Sequence, residues 1–458
     1  MALLEQDHAF EIADAILAAS SADETEVALH CTEDRFVRFA HEGPTQCADR
    51  ERYELAVRVR YRDGEGFREA RASTGTLDDG SLVGALRRAE LLAGVAAPDV
   101  HAVPLEGAVD VEGTAPSRPT QDHSFKEKAE WVDAALRRCE AESLRGAGIA
   151  RTTVASRSLV NSAGRRVHGA TSRSEFSLTC DHPDAGGGAP LGGQAAASSI
   201  RSYVDRVDVE GTIESAVTRA VEGRDPAEIE ARPFDVVLMP EAVAALVSQA
   251  ALAGFGAREF HEGASFLAGR CGERLFDADL IIADDPAHPA FGGLRFDGEG
   301  TPRGRTELVR EGTALGPVTD AAWARRLGLD NTGHARPQPS SAGPRAEHLV
   351  VEEGTASLDE LLVTLGDGLL VHHLHYVNLV EPRDLVLTGM TRGGLFRVRG
   401  GRADEPVEDL RFTQSLVEAL GSAVVGDRAE RAASLLGGEV VAPPLLVRGF
   451  RFTSRAQG

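Results

Sequence analysis

The chain is predicted to be an α+β protein, because two periodicities alternate along it. In its first half, runs with apolar residues at every second position adjoin runs with apolar residues three and four apart. In its second half, short alternating runs broken by Gly, Pro and Asp dominate. At 458 residues the chain exceeds what one core is expected to hold, and three regions are read: 1–110, 120–228 and 232–458.

The first region opens with an amphipathic helix over 10–19, where Phe10, Ile12, Ala13, Ile16 and Leu17 recur at helical spacing. Residues 25–31, 35–40 and 53–61 place apolar side chains at alternate positions, the last as Leu55, Val57, Val59 and Tyr61, which suits half-buried antiparallel strands. The run Arg62-Asp63-Gly64-Glu65-Gly66 supplies a turn, and Leu77 to Ser81 precedes a helix over 82–93. These elements predict an N-terminal α/β sandwich-like region with helices against one sheet face. A proline-bearing linker, 111–120, leads to a middle region with a helix over 124–143, strands around 149–156 and 176–180, and a helix over 207–222 ended by Arg224-Asp225-Pro226. The glycine cluster 186–193 has neither the phosphate-loop spacing nor a dinucleotide fingerprint and reads as a mobile loop.

In the third region a helix is read over 241–254, strands over 280–283, 307–309, 385–388, 395–398 and 448–452, and helices over 357–365 and 413–420. The Pro- and Ser-rich stretch 336–345 reads as a flexible surface loop.

Composition narrows the function classes. With 49 basic against 71 acidic side chains, the formal charge is -22, and repulsion disfavours an extended contact with nucleic-acid phosphates. No apolar run approaches the ~20 residues that span a bilayer, and the first eight residues lack the basic start of a signal peptide. A cytoplasmic protein is expected, without nucleic acid or membrane as partner. Cys31, Cys47, Cys139, Cys180 and Cys271 are scattered, with no CxxC pair, as reduced structural thiols are. Cys271 follows a motif near the expected cleft and is kept as a candidate nucleophile beside its reading as a small buried hydrophobe.

Motif text gives a sharper reading. VVLMPEA (236–242), GASFLAGR (263–270), FDGEGTP (296–302), RTELVREG (305–312), ARRLGL (324–329) and NTGHA (331–335) follow in an order and spacing similar to the C-terminal region of the TldD/PmbA family. Weaker similarity extends upstream through ADETEV (22–27) and YELAVRV (53–59). The resemblance implies a C-terminal curved antiparallel β-sheet domain wrapped around the central helix 241–254. Active members carry His-Glu-x-x-x-His on that helix, where two imidazoles about one turn apart reach a single zinc and the glutamate polarises the metal-bound water. In the same register this chain has Ser248, Gln249 and Ala253, and its tail Ser434-Leu435-Leu436-Gly437-Gly438 lacks the late cysteine ligand. The resemblance is to the TldE/PmbA-type members. It implies a subunit with no metal of its own, paired in a heterodimer with a TldD-like subunit that holds zinc and acts on peptides.

Two other readings stand beside it. In Val371-His372-His373-Leu374-His375-Tyr376, a strand would put His373 and His375 on one face and His372 on the other, and a third ligand would complete a metal site for an independent hydrolase or tailoring enzyme. The same imidazoles could instead line a pocket or hydrogen-bond in the core. The remaining reading is a homodimeric protein that binds a peptide or small molecule. His261-Glu262 has no second histidine within a helical turn and reads as a solvated loop pair. Residues expected to line a substrate chamber are Asp297, Glu299, Arg305, His334, His373 and His375. The glycines of Asp297-Gly298-Glu299-Gly300 allow close backbone approach, the two carboxylates can orient a peptide amine, and Arg305 can pair with either acid or with a substrate carboxylate.

Overall fold

Helix α1 (Gln6–Ala19) buries Ala9, Ala13 and Ile16 and leads into a three-stranded meander, β1 (Glu24–Ala40), β2 (Gly43–Asp63) and β3 (Gly66–Thr74). Helix α2 (Asp79–Val95) follows, its first turn capped by the Asp78 carboxylate accepting from the Ser81 N–H at 2.9 Å. After the short α3 (Arg118–Asp122), the pattern repeats as α4 (Phe125–Ala141), β4 (Arg145–Asn161), β5 (Arg166–Asp181), β6 (Ala195–Arg201) and α5 (Val209–Glu222). Ser124 and Glu127 close a capping box on α4. This computed structural model describes residues 3–183, 194–434 and 438–456. The glycine cluster 186–193 lies outside the described residues.

The six strands form one sheet in the order β3-β2-β1-β4-β5-β6. Its centre is the antiparallel pairing of β1 with β4, from Glu26 opposite Asn161 to Phe39 opposite Gly148. The predicted regions 1–110 and 120–228 therefore share a sheet, each contributing helix, meander and helix. The strands predicted over 25–31 and 35–40 are one strand. The polar run Thr32-Glu33-Asp34 resembles a turn in sequence, but Arg151 on β4 grips the Asp34 carboxylate at 2.6 and 2.8 Å and keeps the strand extended.

All four long helices cover one face of this sheet. Val27, Leu29, Leu55, Val57 and Val59 meet α1 and α2, while Val37, Phe39, Ala150, Phe176 and Leu178 meet α4 and α5. Each buried Val, Leu or Phe among them contributes about 1.5–3 kcal/mol by leaving water. The other face was expected to meet solvent. Instead it presents Glu26, Arg58 and Arg60, all buried, to the C-terminal region.

In that region β7 (Pro233–Leu238) runs directly into α6 (Pro240–Ala253), with Pro240 at the first helical position, where its missing N–H costs nothing. Eleven positions of α6 are buried, which makes it a core helix. It packs between two sheets, against strands Glu430–Ser434 and Gly438–Ala442 of one and Leu374–Glu381 of the other. The single curved antiparallel sheet expected around this helix is thus two sheets, of six and nine strands. Each contains a parallel pair: Leu349–Val351 with Gly438–Ala442, and β7 with Gly368–Val371. Parallel pairs join segments far apart in sequence, so period-two patterning does not show them.

The helix predicted over 413–420 begins only at Leu416, because Leu410–Ser415 is a strand and Ser415 caps Glu418. Residues 336–345 do not form a free surface loop: Gly343 and Pro344 are buried and Gln338 to Ser341 line a cavity. No helix among the described residues is long and apolar enough to cross a membrane.

Candidate functional site: a charged chamber between sheet and C-terminal region

Phe296 packs against Leu159 and Val167 and anchors the following loop on the charged face of the N-terminal sheet. Asp297 accepts three backbone N–H bonds, from Glu299 and Thr301 at 2.9 Å each and from Ala335 at 2.8 Å. A Cβ on Gly298 would collide with the Arg336 backbone, and Gly300 has φ +73°, so both glycines are needed for the tight turn. The turn holds Glu299 in place. Its carbonyl accepts from Arg165 at 3.3 Å, and its carboxylate accepts from the Ala321 N–H at 3.3 Å, where the helix Ala321–Leu327 begins. Asp320 caps the same helix, its carboxylate accepting from the Trp323 backbone N–H at 2.8 Å.

Glu299, Asp320 and Trp323 face Arg58 and Glu69 of the sheet across a chamber of about 950 Å³. Arg58 donates to Glu69 at 3.0 and 2.7 Å and lies 3.8 Å from Glu26; Arg60 pairs with Glu24 at 2.7 Å. Burial opposes the charge on Arg58, but Glu26 and Glu69 outweigh it and hold its pKa above the ordinary value. Burial, then the neighbouring Asp297 charge, push Glu299 up to about 8, and Arg58 lowers it only in part, too little to offset them. Burial also raises Glu26, Asp297 and Asp320. At neutral pH the chamber therefore presents a carboxylic acid able to donate a hydrogen bond or exchange a proton with a ligand.

Because the folded-state pKa of Glu299 is raised, its contribution to stability is present below the ordinary carboxylate pKa of 4.5 and is lost as pH rises through about 8. Glu299→Gln is expected to flatten this decline, leaving the variant more stable than the parent at pH 9 by on the order of 1–3 kcal/mol, discounted for solvent access. Parallel pH–stability curves for parent and variant would refute the assignment.

Of the other expected chamber residues, Asp297 sits behind the loop it organises. Arg305 pairs with Glu352 at 2.6 Å, away from the two acids it was expected to meet. His334 is buried beside Asp284, its Nε2 at 3.3 Å from the carboxylate and its Nδ1 at 2.9 Å from the Thr332 hydroxyl. His372 and His373 lie in the break between strands Gly368–Val371 and Leu374–Glu381, so the strand alternation expected for them does not hold. His373 Nε2 meets the Ala196 carbonyl on β6 at 2.6 Å, and His372 sits edge-on to Phe396. His375 stacks edge-on to Tyr376. His261 and Glu262 border the chamber, with the His261 ring 5.6 Å from Trp323. Cys271 is exposed, so it is not the small buried hydrophobe expected; its thiol donates to the Leu267 carbonyl at 3.5 Å, and partial desolvation raises its pKa, which disfavours the thiolate.

On α6, Ser248 is fully buried with its hydroxyl directed to the Ala245 carbonyl at 3.2 Å. Gln249 is 5% exposed, and Ala253 is the last helical residue before Gly254. A hydroxyl turned back onto its own helix, an amide and a methyl do not fit a zinc ion. Among the described residues, no group of three or more His, Cys, Asp or Glu side chains is placed to hold a metal.

A family model described as the PmbA/TldA metallopeptidase C-terminal domain matches residues 231–454. A metalloprotease from Methanothermobacter thermautotrophicus is 26% identical over 69% of this chain and 72% of its own length. The metalloprotease PmbA of Escherichia coli O157:H7 is 24% identical over 40% of this chain and 39% of its own length. The crystal structure of TldE from Thermococcus kodakarensis superposes with a TM-score of 0.84 at 18% identity, covering 96% of this chain and 100% of that one. The C-terminal half of the chain, residues 231–454, belongs to the TldD/PmbA family.

The family match begins at β7 and takes in α6, the Asp297 loop and the Trp323 helix, so it supplies one wall of the chamber. The opposite wall, with Glu26, Arg58 and Glu69, lies outside the matched stretch and was missed in sequence, as were Asp320 and Trp323. A signal for it exists. Glu26 alternates with Val27 and Leu29, and Arg58 and Arg60 with Val57 and Val59, so both signs of charge occupy one face of adjacent strands.

Proposed function

We propose that this chain is a TldE/PmbA-type subunit without its own zinc, acting with a TldD-type His-Glu-x-x-x-His partner in a heterodimeric metallopeptidase that degrades or matures peptides. The observation that carries this is α6: the motif positions hold Ser248, Gln249 and Ala253, the first two packed into the core. The metalloprotease names of its sequence relatives and the likeness to a TldE structure support the reading. Zinc in the partner would supply an activated water. This chain would contribute the walls that orient an extended peptide, with the Glu299 carboxylic acid as a hydrogen-bond donor and Arg58 as a charged contact.

Metal analysis and peptidase assays on the purified chain, alone and co-expressed with a TldD-type protein, test the proposal. The expected result is a metal-free, inert chain and activity with one zinc per pair. Stoichiometric metal in the isolated chain, lost in His373→Ala and His375→Ala, would overturn it in favour of an independent hydrolase.

A further inference from the structure

A second cavity, of about 620 Å³, opens where α5 meets the start of α6, remote from the Glu299 chamber in its lining. Arg219 on α5 and Glu241 on α6 both face it. Arg219 is 7% exposed, and its Nε donates to the Ser215 carbonyl at 3.0 Å, one turn back. Among the described residues its guanidinium makes no ion pair, and neither does the Glu241 carboxylate. Arg219 and Glu241 act on each other across the cavity without a close ion pair, and a ligand that brings a counter-charge to each would replace that distant attraction with direct contacts. No side chain caps the start of α6, and Met239, Pro240 and Glu241 border the same space.

The rest of the lining restricts the ligand. Glu353, Asp427 and Glu430 join Glu241, while only Arg428 joins Arg219. A simple anion would be repelled by four carboxylates, and a simple cation would leave Arg219 unpaired. A molecule carrying both charges satisfies both, and the volume falls within the ~300–1,000 Å³ of small-ligand sites.

We propose that this cavity binds a short peptide with both ends free, its α-carboxylate on Arg219 and its α-ammonium between Glu241 and Glu430. The site lies within this chain and does not depend on a metal-bearing partner, so it stands or falls separately from the subunit reading.

Calorimetric titration of the full-length chain with Ala-Ala, N-acetyl-Ala-Ala and Ala-Ala-amide tests it. Ala-Ala is expected to bind, with blocking of either end weakening affinity by at least about tenfold. Arg219→Met and Glu241→Gln should each weaken Ala-Ala to a similar degree, with Arg219→Lys recovering part of the loss and melting curves showing all three folded. No heat from Ala-Ala at millimolar concentration would overturn the proposal. So would equal binding of the blocked peptides, or undiminished binding by Arg219→Met.

Discussion

Arg303→Met is expected to destabilise the chain by about 3–5 kcal/mol at neutral pH, the loss seen when one partner of a buried ion pair is removed. Arg303 is 8% exposed and donates to Asp284 at 2.8 Å and to Glu347 at 3.3 Å. Asp284 is wholly buried and also accepts the N–H groups of Glu347 at 2.6 Å and His348 at 2.8 Å. Methionine fills much of the space but leaves a carboxylate in the core without its cation.

The pH dependence has a definite sign. Burial opposes ionisation of Asp284, but the contact with His334 and the charge of Arg303 outweigh it and hold its pKa well below the ordinary 3.8. A depressed carboxylate pKa contributes stability above 3.8 that is lost as pH falls through the folded-state value. Without Arg303 that loss should begin at higher pH. Urea denaturation at pH 7 and 5 reads both effects, and a variant within 1 kcal/mol of the parent at pH 7 would show that the network is dispensable.

Ser248→His should cost a comparable amount, about 2–6 kcal/mol, from overpacking together with an imidazole N–H that has no partner. The site is enclosed by Ala244, Ala245, Val247 and Ala251 of the same buried helix and by the two sheets that sandwich it. Zinc is expected to restore none of the loss, because Gln249 and Ala253 at the other motif positions bring no second imidazole or carboxylate to the metal. A melting temperature that rises on adding zinc to the variant would contradict this, and would mean that α6 can still present a ligand to the metal.

The amphipathic helices and most strands were legible because each has one apolar face with a clean period, as Leu55, Val57 and Val59 show. The motif text also located the Asp297 loop. What was not legible is how distant pieces pair. Arg58 looks solvated in sequence, and only the docking of the C-terminal region over that face makes it a chamber wall. His373 was read as a metal ligand or as a pocket or core hydrogen-bonding residue, and sequence could not show that the carbonyl it meets belongs to Ala196, 177 positions away. Arg305 failed as a chamber residue for a similar reason, since Glu352 claims it first.

The antiparallel union of β1 with β4 also bears on how the chain is made. During synthesis β1 to β3 emerge first and can form their meander, but β1 keeps one edge open until β4 arrives. Just over a hundred residues separate Ala40 from Arg145, which at ~5–20 residues per second leaves that edge bare for about 5–20 seconds. An open edge invites pairing with other nascent chains, and charged side chains are a common guard against it. Glu33, Asp34 and Arg35 in the middle of β1 and Arg38 near its end place such charges along the strand.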